Sequence, residues 1–430
     1  MFYFVSKFHL CVFIYLFMIH FEKYQLKNGL RLLLNVDRNT PLVAFNLMYN
    51  VGSKFEQENK TGLAHLFEHL MFLGTKNIKD FDYYTQLAGG ENNAFTNNDV
   101  TDYYITIPKA NIETAFWLES DRMSNLALSK RKFNTEKNVV IEEFKETTLN
   151  VPYGDMWHLL SEMSYKDHPY KWPTIGKSID DIKKITLDDA MEFYDNFYTP
   201  SNAVLTVTGD IELDKIIELS EKWFGNIEKS KPSAERFNFP VESVQSAFNE
   251  KVIKSNVPSN AIYLAFHIAG RMENEYYSHE IISDLLGRGR SARLYQKLVK
   301  DQEIFSEVNA YLSGNSDPGL LIVEGLISED VDVERAEKSL LDELNLLQNH
   351  KIDDQELEKI KNKMENQLAF EEANIMNKAI NLCQFEILGN VDIINDQIEM
   401  YRNVTPDMIL EQSKTIFNLQ NCSKLIYLKN

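Results

Sequence analysis

Residues 186–207 lie over residues 405–426 without a gap, and this internal repeat constrains the architecture of the chain more than any other feature. Thr186, Asp188 and Asn202 fall on Thr405, Asp407 and Asn421, while Phe197 and Tyr198 fall on Ile416 and Phe417. Each copy reads as a threonine-capped helix, an asparagine and a closing apolar strand. A unit that recurs in this way implies two homologous halves. With 430 residues, 44% of them hydrophobic, the chain has enough apolar sequence for a core in each. The expected division is an apolar extension at 1–19, a first domain at 20–227, a linker at 228–239 and a second domain at 240–430. The linker is marked by the polar run from Glu228 to Arg236.

The first half opens with a β pattern. Residues 24–27 and 30–35 flank Asn28-Gly29, a hairpin dipeptide. Residues 42–49 are apolar on both faces and read as an inner strand. Residues 91–97 form a short extended segment, and 101–107 another strand broken at Pro108. Helical patterns cover 81–88, 111–126 and 132–147. In the second half, 261–266 repeats the inner strand, a helix opens at 280–286, and 333–347 and 355–372 are helical. The fold class expected is α+β, with two homologous domains, each a mixed, mostly antiparallel sheet with helices packed on one face. Gly287-Arg288-Gly289-Arg290-Ser291 lacks P-loop spacing and reads as a turn.

Between the inner strand and residue 81 lies Thr61-Gly62-Leu63-Ala64-His65-Leu66-Phe67-Glu68-His69-Leu70-Met71-Phe72, with Thr61 as the expected N-cap. On a helix, His65 and His69 stand one turn apart on the same side with Glu68 beside them. The surrounding leucines and phenylalanines make this helix largely buried, so two imidazoles and a carboxylate without partners would be costly there. A zinc ion removes that cost. It takes imidazole nitrogen, and with a third protein ligand it keeps a position open for a water that a nearby carboxylate deprotonates. His-x-x-Glu-His is the inverted form of the zinc-peptidase signature, and the second half contains no copy of it.

The third ligand is expected from the acidic stretch 136–146. Glu136 and Glu143 are seven positions apart, two turns less about 20°, and share a face. Glu142 is turned about 100° away. Glu146 also lies near the shared face, and periodicity does not separate it from Glu143. His158 and His168 have no partner at ligand spacing and read as structural.

A net charge of −19 and a pI near 5.0 disfavour binding to nucleic acid or to an anionic membrane surface. Cys11, Cys383 and Cys422 are scattered without a C-x-x-C, which indicates neither a disulfide framework nor a thiolate zinc site. Residues 1–19 lack a basic start and a small-residue cleavage site, and Lys7 interrupts their apolar run. Met18 is therefore the working start and the cytoplasm the expected location. A periplasmic or membrane-anchored protein is the alternative if 1–19 is a targeting segment.

Three motifs together resemble those of the pitrilysin/insulinase-type zinc peptidases, the inverzincins. They are His65-Leu66-Phe67-Glu68-His69, Gly89-Gly90-Glu91-Asn92-Asn93-Ala94-Phe95-Thr96 and Glu136-Lys137-Asn138-Val139-Val140-Ile141-Glu142-Glu143. The likeness runs over roughly residues 20–430 and is strongest to two-domain members similar to mitochondrial processing peptidase. It implies a zinc-dependent endopeptidase acting on peptides or unfolded protein segments. Zinc would sit on His65, His69 and Glu143, because the family's ligand lies seven residues after the first glutamate of the third motif. Glu68 would be the general base and Glu136 a carboxylate orienting the site. Substrate would add as a strand along Asn93, Ala94, Phe95 and Thr96.

The resemblance also implies a homodimer, or a heterodimer with a zinc-free homologous subunit. One departure stands out. The family often carries an arginine and a tyrosine in the second domain where this chain has Leu298 or Val299 and Phe305. A phenylalanine donates no hydrogen bond to a carbonyl oxygen, so a partner subunit is the expected donor. Zinc-free relatives act as core subunits of respiratory complexes, which makes an inert structural subunit the alternative reading. The intact His65, Glu68, His69 and Glu143 set argues against it.

Overall fold

The computed structural model describes residues 18–228 and 239–430. Most of the expected apolar extension and of the 228–239 linker lies outside the described residues. Strands β1 (Glu22–Gln25), β2 (Arg31–Val36), β3 (Leu42–Tyr49), β4 (Glu91–Thr96), β5 (Thr101–Pro108) and β6 (Ala203–Gly209) form one sheet in the order β1-β2-β6-β3-β5-β4. Strands β7 (Asn249–Ser255), β8 (Ala261–His267), β9 (Phe305–Leu312), β10 (Leu320–Ile327) and β11 (Cys422–Lys429) form a second in the order β7-β11-β8-β10-β9. Without β1 the two orders coincide strand for strand. Each sheet has one parallel pair at the matching place, β2 with β6 and β7 with β11, and is otherwise antiparallel.

The repeat read from the sequence holds at the level of single hydrogen bonds. Thr186 and Thr405 cap helices Leu187–Phe197 and Pro406–Ile416 with their hydroxyls. Asn202 then donates to Phe197 O at 2.9 Å and Asn50 O at 3.2 Å, and Asn421 donates to Ile416 O at 3.0 Å and His267 O at 3.1 Å. In both halves one amide thus satisfies a carbonyl left over at a helix end and ties it to the inner strand.

Each sheet carries its own helices on one face. In the first half, Phe45, Leu47, Tyr103 and Ile105 of the sheet pack with Leu66, Phe67 and Leu70 of helix Leu63–Leu70 and with Phe193 and Phe197. The opposite face is covered by an element lent from the other half. Helix Ile375–Ile387 lays Leu382, Cys383 and Phe385 on Leu33, Met48 and Val204, and the Cys383 thiol shares a 3.1 Å hydrogen bond with the Thr206 hydroxyl. Reciprocally, helix Met156–Ser164 of the first half packs Met156 and Leu160 against Tyr263, Ala265 and Leu425. This exchange explains why β3 and β6 are buried on both faces and show no apolar–charged alternation.

The halves are also tied by a buried ionic junction. Lys54, 9% exposed, reaches Asp99 at 2.7 Å in the turn between β4 and β5, and Asp317 at 3.0 Å in the loop between β9 and β10. Asp99 further accepts the Tyr170 hydroxyl at 2.6 Å and the Ser316 amide at 2.9 Å. Every charge there is paired and hydrogen-bonded, the condition for tolerating ions out of water. Cys383 and Cys422 are free thiols and buried. Among the described residues no helix is long and apolar enough to cross a membrane.

Candidate metal centre

Helix Leu63–Leu70 begins at Gly62, which takes a left-handed conformation with φ 89°. A Cβ there would lie 2.8 Å from Ile175 O, so glycine is required on two counts. The expected cap, Thr61, is displaced from that role. Its hydroxyl donates to Asp181 at 3.0 Å and accepts from Lys177 N at 2.7 Å. The opening amides of the helix instead donate to the Glu56 carboxylate, Gly62 N at 2.9 Å and Ala64 N at 2.7 Å. Burial pushes the Glu56 carboxyl up to about 8, but its two oxygens accept both amides, whereas the Thr61 hydroxyl is already engaged by Asp181 and Lys177.

The helix buries Leu63, Ala64, Leu66, Phe67 and Leu70, which leaves His65, Glu68 and His69 half-buried on the other side. The two imidazole rings meet edge-on with centroids 4.8 Å apart. Helix Lys130–Phe144, capped by Ser129, crosses in front and delivers the acidic face. Glu136 Oε1 lies 3.1 Å from His69 Nδ1, and Glu143 Oε2 lies 3.4 Å from His69 Nε2. Glu143 Oε1 lies 3.8 Å from His65 Nε2.

Glu142 turns outward to Lys145 at 2.7 Å. Glu146 is exposed on the π-helical turn Lys145–Leu149, where the backbone widens and α-helical spacing no longer carries it toward the Glu136 face. The geometry thereby separates Glu143 from its two neighbours.

One donor atom each from His65, His69 and Glu143 lies within 4.8 Å of the others, and among the described residues no other His, Cys, Asp and Glu group does so. Zinc bonds of about 2.0–2.2 Å at tetrahedral angles place donor atoms roughly 3.5 Å apart, so two imidazoles and this carboxylate fit the ion. No hydrogen bond among the described residues satisfies the buried Nδ1 of His65. Burial pushes the His65 ring down to about 4, so it offers a neutral nitrogen. Without metal, the hydrogen bonds of His69 to Glu136 and Glu143 raise it to about 9. The bond to His69 in turn holds Glu143 below the ordinary carboxylate range. Burial raises Glu68, although the Thr96 hydroxyl pulls the other way.

That contact puts the carboxylate of Glu68 beside the end of β4. The strand closes its sheet and pairs with β5 in the register Asn93↔Tyr104, Ala94↔Tyr103, Phe95↔Asp102 and Thr96↔Thr101. Among the described residues no strand pairs with its other edge. The four residues expected to receive substrate are therefore the open rim of the sheet, adjoining His65, Glu68 and His69.

The profile described as Insulinase (Peptidase family M16) matches residues 31–177, and that described as Peptidase M16 inactive domain matches residues 184–364. The chain belongs to peptidase family M16. The zinc protease PqqE of Helicobacter pylori is 31% identical over 344 residues, covering 79% of this chain and 77% of that protein. A probable mitochondrial-processing peptidase subunit beta of Arabidopsis thaliana is 21% identical over 320 residues, 71% of this chain and 59% of that one. The crystal structure of a protease from Helicobacter pylori superposes with a TM-score of 0.91 at 26% identity, over 95% of this chain and 99% of that chain. The Helicobacter pylori relative is named a zinc protease, and the inactive-domain profile falls on the stretch that lacks His-x-x-Glu-His.

In this M16 chain the places aligned with the missing arginine and tyrosine, Leu298 or Val299 and Phe305, lie in or against the core of the second half, Val299 being partly buried. Leu298 is fully buried, and Phe305, 1% exposed, packs its ring against Gly325. Both belong to the core of the second half. His168 is structural as expected, accepting from Tyr170 N at 3.2 Å. Glu56, Lys54, Asp99 and Asp317 escaped the sequence reading. Each acts on a partner remote in sequence or on backbone amides, and neither leaves a spacing pattern.

Proposed function

We propose that this chain is a zinc-dependent endopeptidase that hydrolyses peptides and unfolded protein segments. The observation that supports it most directly is the convergence of His65, His69 and Glu143 within 4.8 Å, with Glu68 on the same helix face and an open sheet edge alongside. His65, His69 and Glu143 would hold the ion. Glu136 engages Nδ1 of His69 and so keeps Nε2 free for it. Bound zinc supplies Lewis acidity, which lowers the pKa of a water and polarises a peptide carbonyl.

Glu68 takes the proton of the attacking water and passes it to the leaving amine, a task that its raised proton affinity suits. The backbone of Asn93, Ala94, Phe95 and Thr96 receives the substrate as an added strand, which selects for chains already extended and tolerates many sequences. A partner subunit of the same fold, either a second copy or a zinc-free homologue, supplies the donor to the carbonyl oxygen. The burial of Leu298 and Phe305, side chains without a hydrogen-bond donor, supports that part of the reading.

The test is hydrolysis of a mixed peptide library by the wild type and Glu68→Gln, with and without chelator. Cleavage lost in the variant and in chelator, with zinc retained by the variant, is the expected result. Equal activity in both proteins removes Glu68 as the base. Full activity in a sedimenting monomer removes the partner. A purified protein that takes up no zinc would favour an inert core subunit.

A further inference from the structure

We propose that the outer edge of β7 is an interface for a second copy of this chain, whose own β7 adds antiparallel across a twofold axis at Val252 to make one continuous sheet. The proposal gives the partner of the reading above a surface on this chain, and it rests on that part of the reading alone.

The two sheet orders locate the opening. β7 holds in the second half the place of β2 in the first, each running parallel to its closing strand, β11 or β6. In the first half, β1 covers the outer edge of β2 in the register Glu22↔Leu34 to Gln25↔Arg31. The second sheet ends at β7, and among the described residues no strand pairs with its outer edge. Residues 239–248, directly upstream, are not in a strand. Every second residue of β7 therefore presents an N–H and a C=O to that side with no ladder to join.

The strand lacks the usual guards of an exposed edge. It runs over the seven residues Asn249–Ser255 without proline or glycine. Its register with β11 is unbroken from Ser423↔Asn249 to Lys429↔Ser255, so no bulge turns it away. Glu250, Val252 and Lys254 are exposed in alternation with half-buried neighbours, and Val252 is 49% exposed.

Charges on an edge ordinarily repel a second strand. Here their order attracts one. A twofold axis normal to the sheet keeps paired side chains on one face, and each contact occurs twice. With the axis at Val252, Glu250 stands opposite Lys254 of the second copy, Lys254 opposite its Glu250, and the two Val252 side chains meet. On the other face Lys251 meets Ile253. The neighbouring registers that preserve the faces are worse. One sets Lys251 against Lys251, and the other sets Lys254 against Val252 and carries Glu250 past the strand end. Lys424 on β11 already holds the Glu250 carboxylate at 3.1 Å. Lys254 makes no ion pair among the described residues and gains one across the axis.

Sedimentation velocity of the full chain on dilution, with the register read by cysteine cross-linking, tests this. The wild type should sediment as a reversible dimer. Lys254→Glu sets like charges together at both pairs and should raise the dissociation constant about 10- to 100-fold, with the unfolding midpoint unchanged. Combining it with Glu250→Lys recreates both pairs in reverse and should restore the dimer. In a Cys11→Ser background, Val252→Cys should form a disulfide-linked dimer on mild oxidation. Lys254→Cys should not, because Glu250 stands opposite. The cross-links decide the matter if the double variant does not fold.

A wild type that is monomeric at every concentration overturns the interface, and leaves the peptidase reading standing if it cleaves peptides. Slow amide exchange at residues 250–254 in that monomer would give the edge to residues 229–238 instead. A dimer insensitive to Lys254→Glu, or cross-linked equally at both positions, also overturns the proposal. A charge-sensitive dimer that cleaves no peptide supports the interface and overturns the catalytic reading instead.

Discussion

Glu136 engages His69 through Nδ1 at 3.1 Å and thereby decides which nitrogen of that ring faces Glu143. The opposite nitrogen, Nε2, lies 3.4 Å from the Glu143 carboxylate. A carboxylate behind a ligating histidine sets its tautomer, restrains its ring and raises its basicity. Replacing Glu136 by Gln should lower zinc affinity about 10- to 100-fold, measured by competition with a chromophoric chelator. An unchanged Kd would show that the ring is positioned by packing alone.

Zinc uptake should release protons. In the metal-free chain the two carboxylates raise His69 to about 9, above the ordinary imidazole value of about 6.5. Their pairing with the imidazolium stabilises the metal-free fold fully below about pH 6.5 and is lost as pH rises through about 9. A ligating imidazole must be neutral, so zinc affinity should climb between about pH 6 and 9. His65, held near 4, is already neutral over that range and contributes nothing to the slope. Calorimetry in buffers of different ionisation enthalpy gives the proton count, which should be near one at neutral pH.

Glu68→Gln should lower kcat by about 10²- to 10⁴-fold while zinc content stays at the wild-type level. The wild-type profile carries a second signature. The active form of Glu68 is the carboxylate, and burial raises its pKa. Activity should therefore fall on the acid side at a pH above the ordinary glutamate value of about 4.3. A limb at or below that value would contradict the burial argument.

The junction between the halves should govern stability. Lys54→Met leaves Asp99 buried without its counter-charge and should cost about 3–5 kcal/mol in chemical denaturation. Burial opposes ionisation of Asp317, but the hydrogen bond from His168 and the Lys54 charge prevail and hold it below the ordinary aspartate range. A depressed folded value means that its contribution is present above about pH 4 and is lost as pH falls further. Asp317 is partly exposed, so Asp317→Asn should flatten the acid limb of the stability curve only modestly.

Removing the Glu56 carboxylate should unsettle the helix that presents the histidines. In Glu56→Ala the Gly62 and Ala64 amides lose their acceptor, at a cost of about 1–2 kcal/mol. Zinc affinity should fall with stability, because His65 lies within the first turn. Thr61→Val should affect the contact with Asp181 and not the helix start. Equal helix loss in the two variants, read by hydrogen exchange at Ala64 to Phe67, would contradict the assignment of the cap.

Much of the site was legible before any coordinates. His65, Glu68 and His69 belong to one helical turn, and Glu136 and Glu143 to two turns of another, so spacing alone groups each set. Spacing did not separate Glu143 from Glu146. That difference arises where the helix relaxes into the π turn Lys145–Leu149, a change of pitch that no periodicity records. Thr61 was the nearest capping hydroxyl in sequence, but Glu56 folds back over the loop and offers two carboxyl oxygens to the opening amides. His158 has no partner at ligand spacing, and its surroundings come from residues 172–176 and 311–320, remote in the chain.

The sequence by itself determined the features carried by regular backbone geometry. These are the twofold repeat with its Thr and Asn markers, the two-faced burial of β3, and the alignment of His65 with His69, all set by a fixed rise and rotation per residue. Tertiary structure alone decided what depends on the separation of elements distant in the chain. It brought the Lys130–Phe144 helix within reach of the histidines, exchanged helices Met156–Ser164 and Ile375–Ile387 between the sheets, and formed a cavity lined by residues of both halves. Those distances are set by side-chain volumes packing in three dimensions, and volume carries no order along the chain.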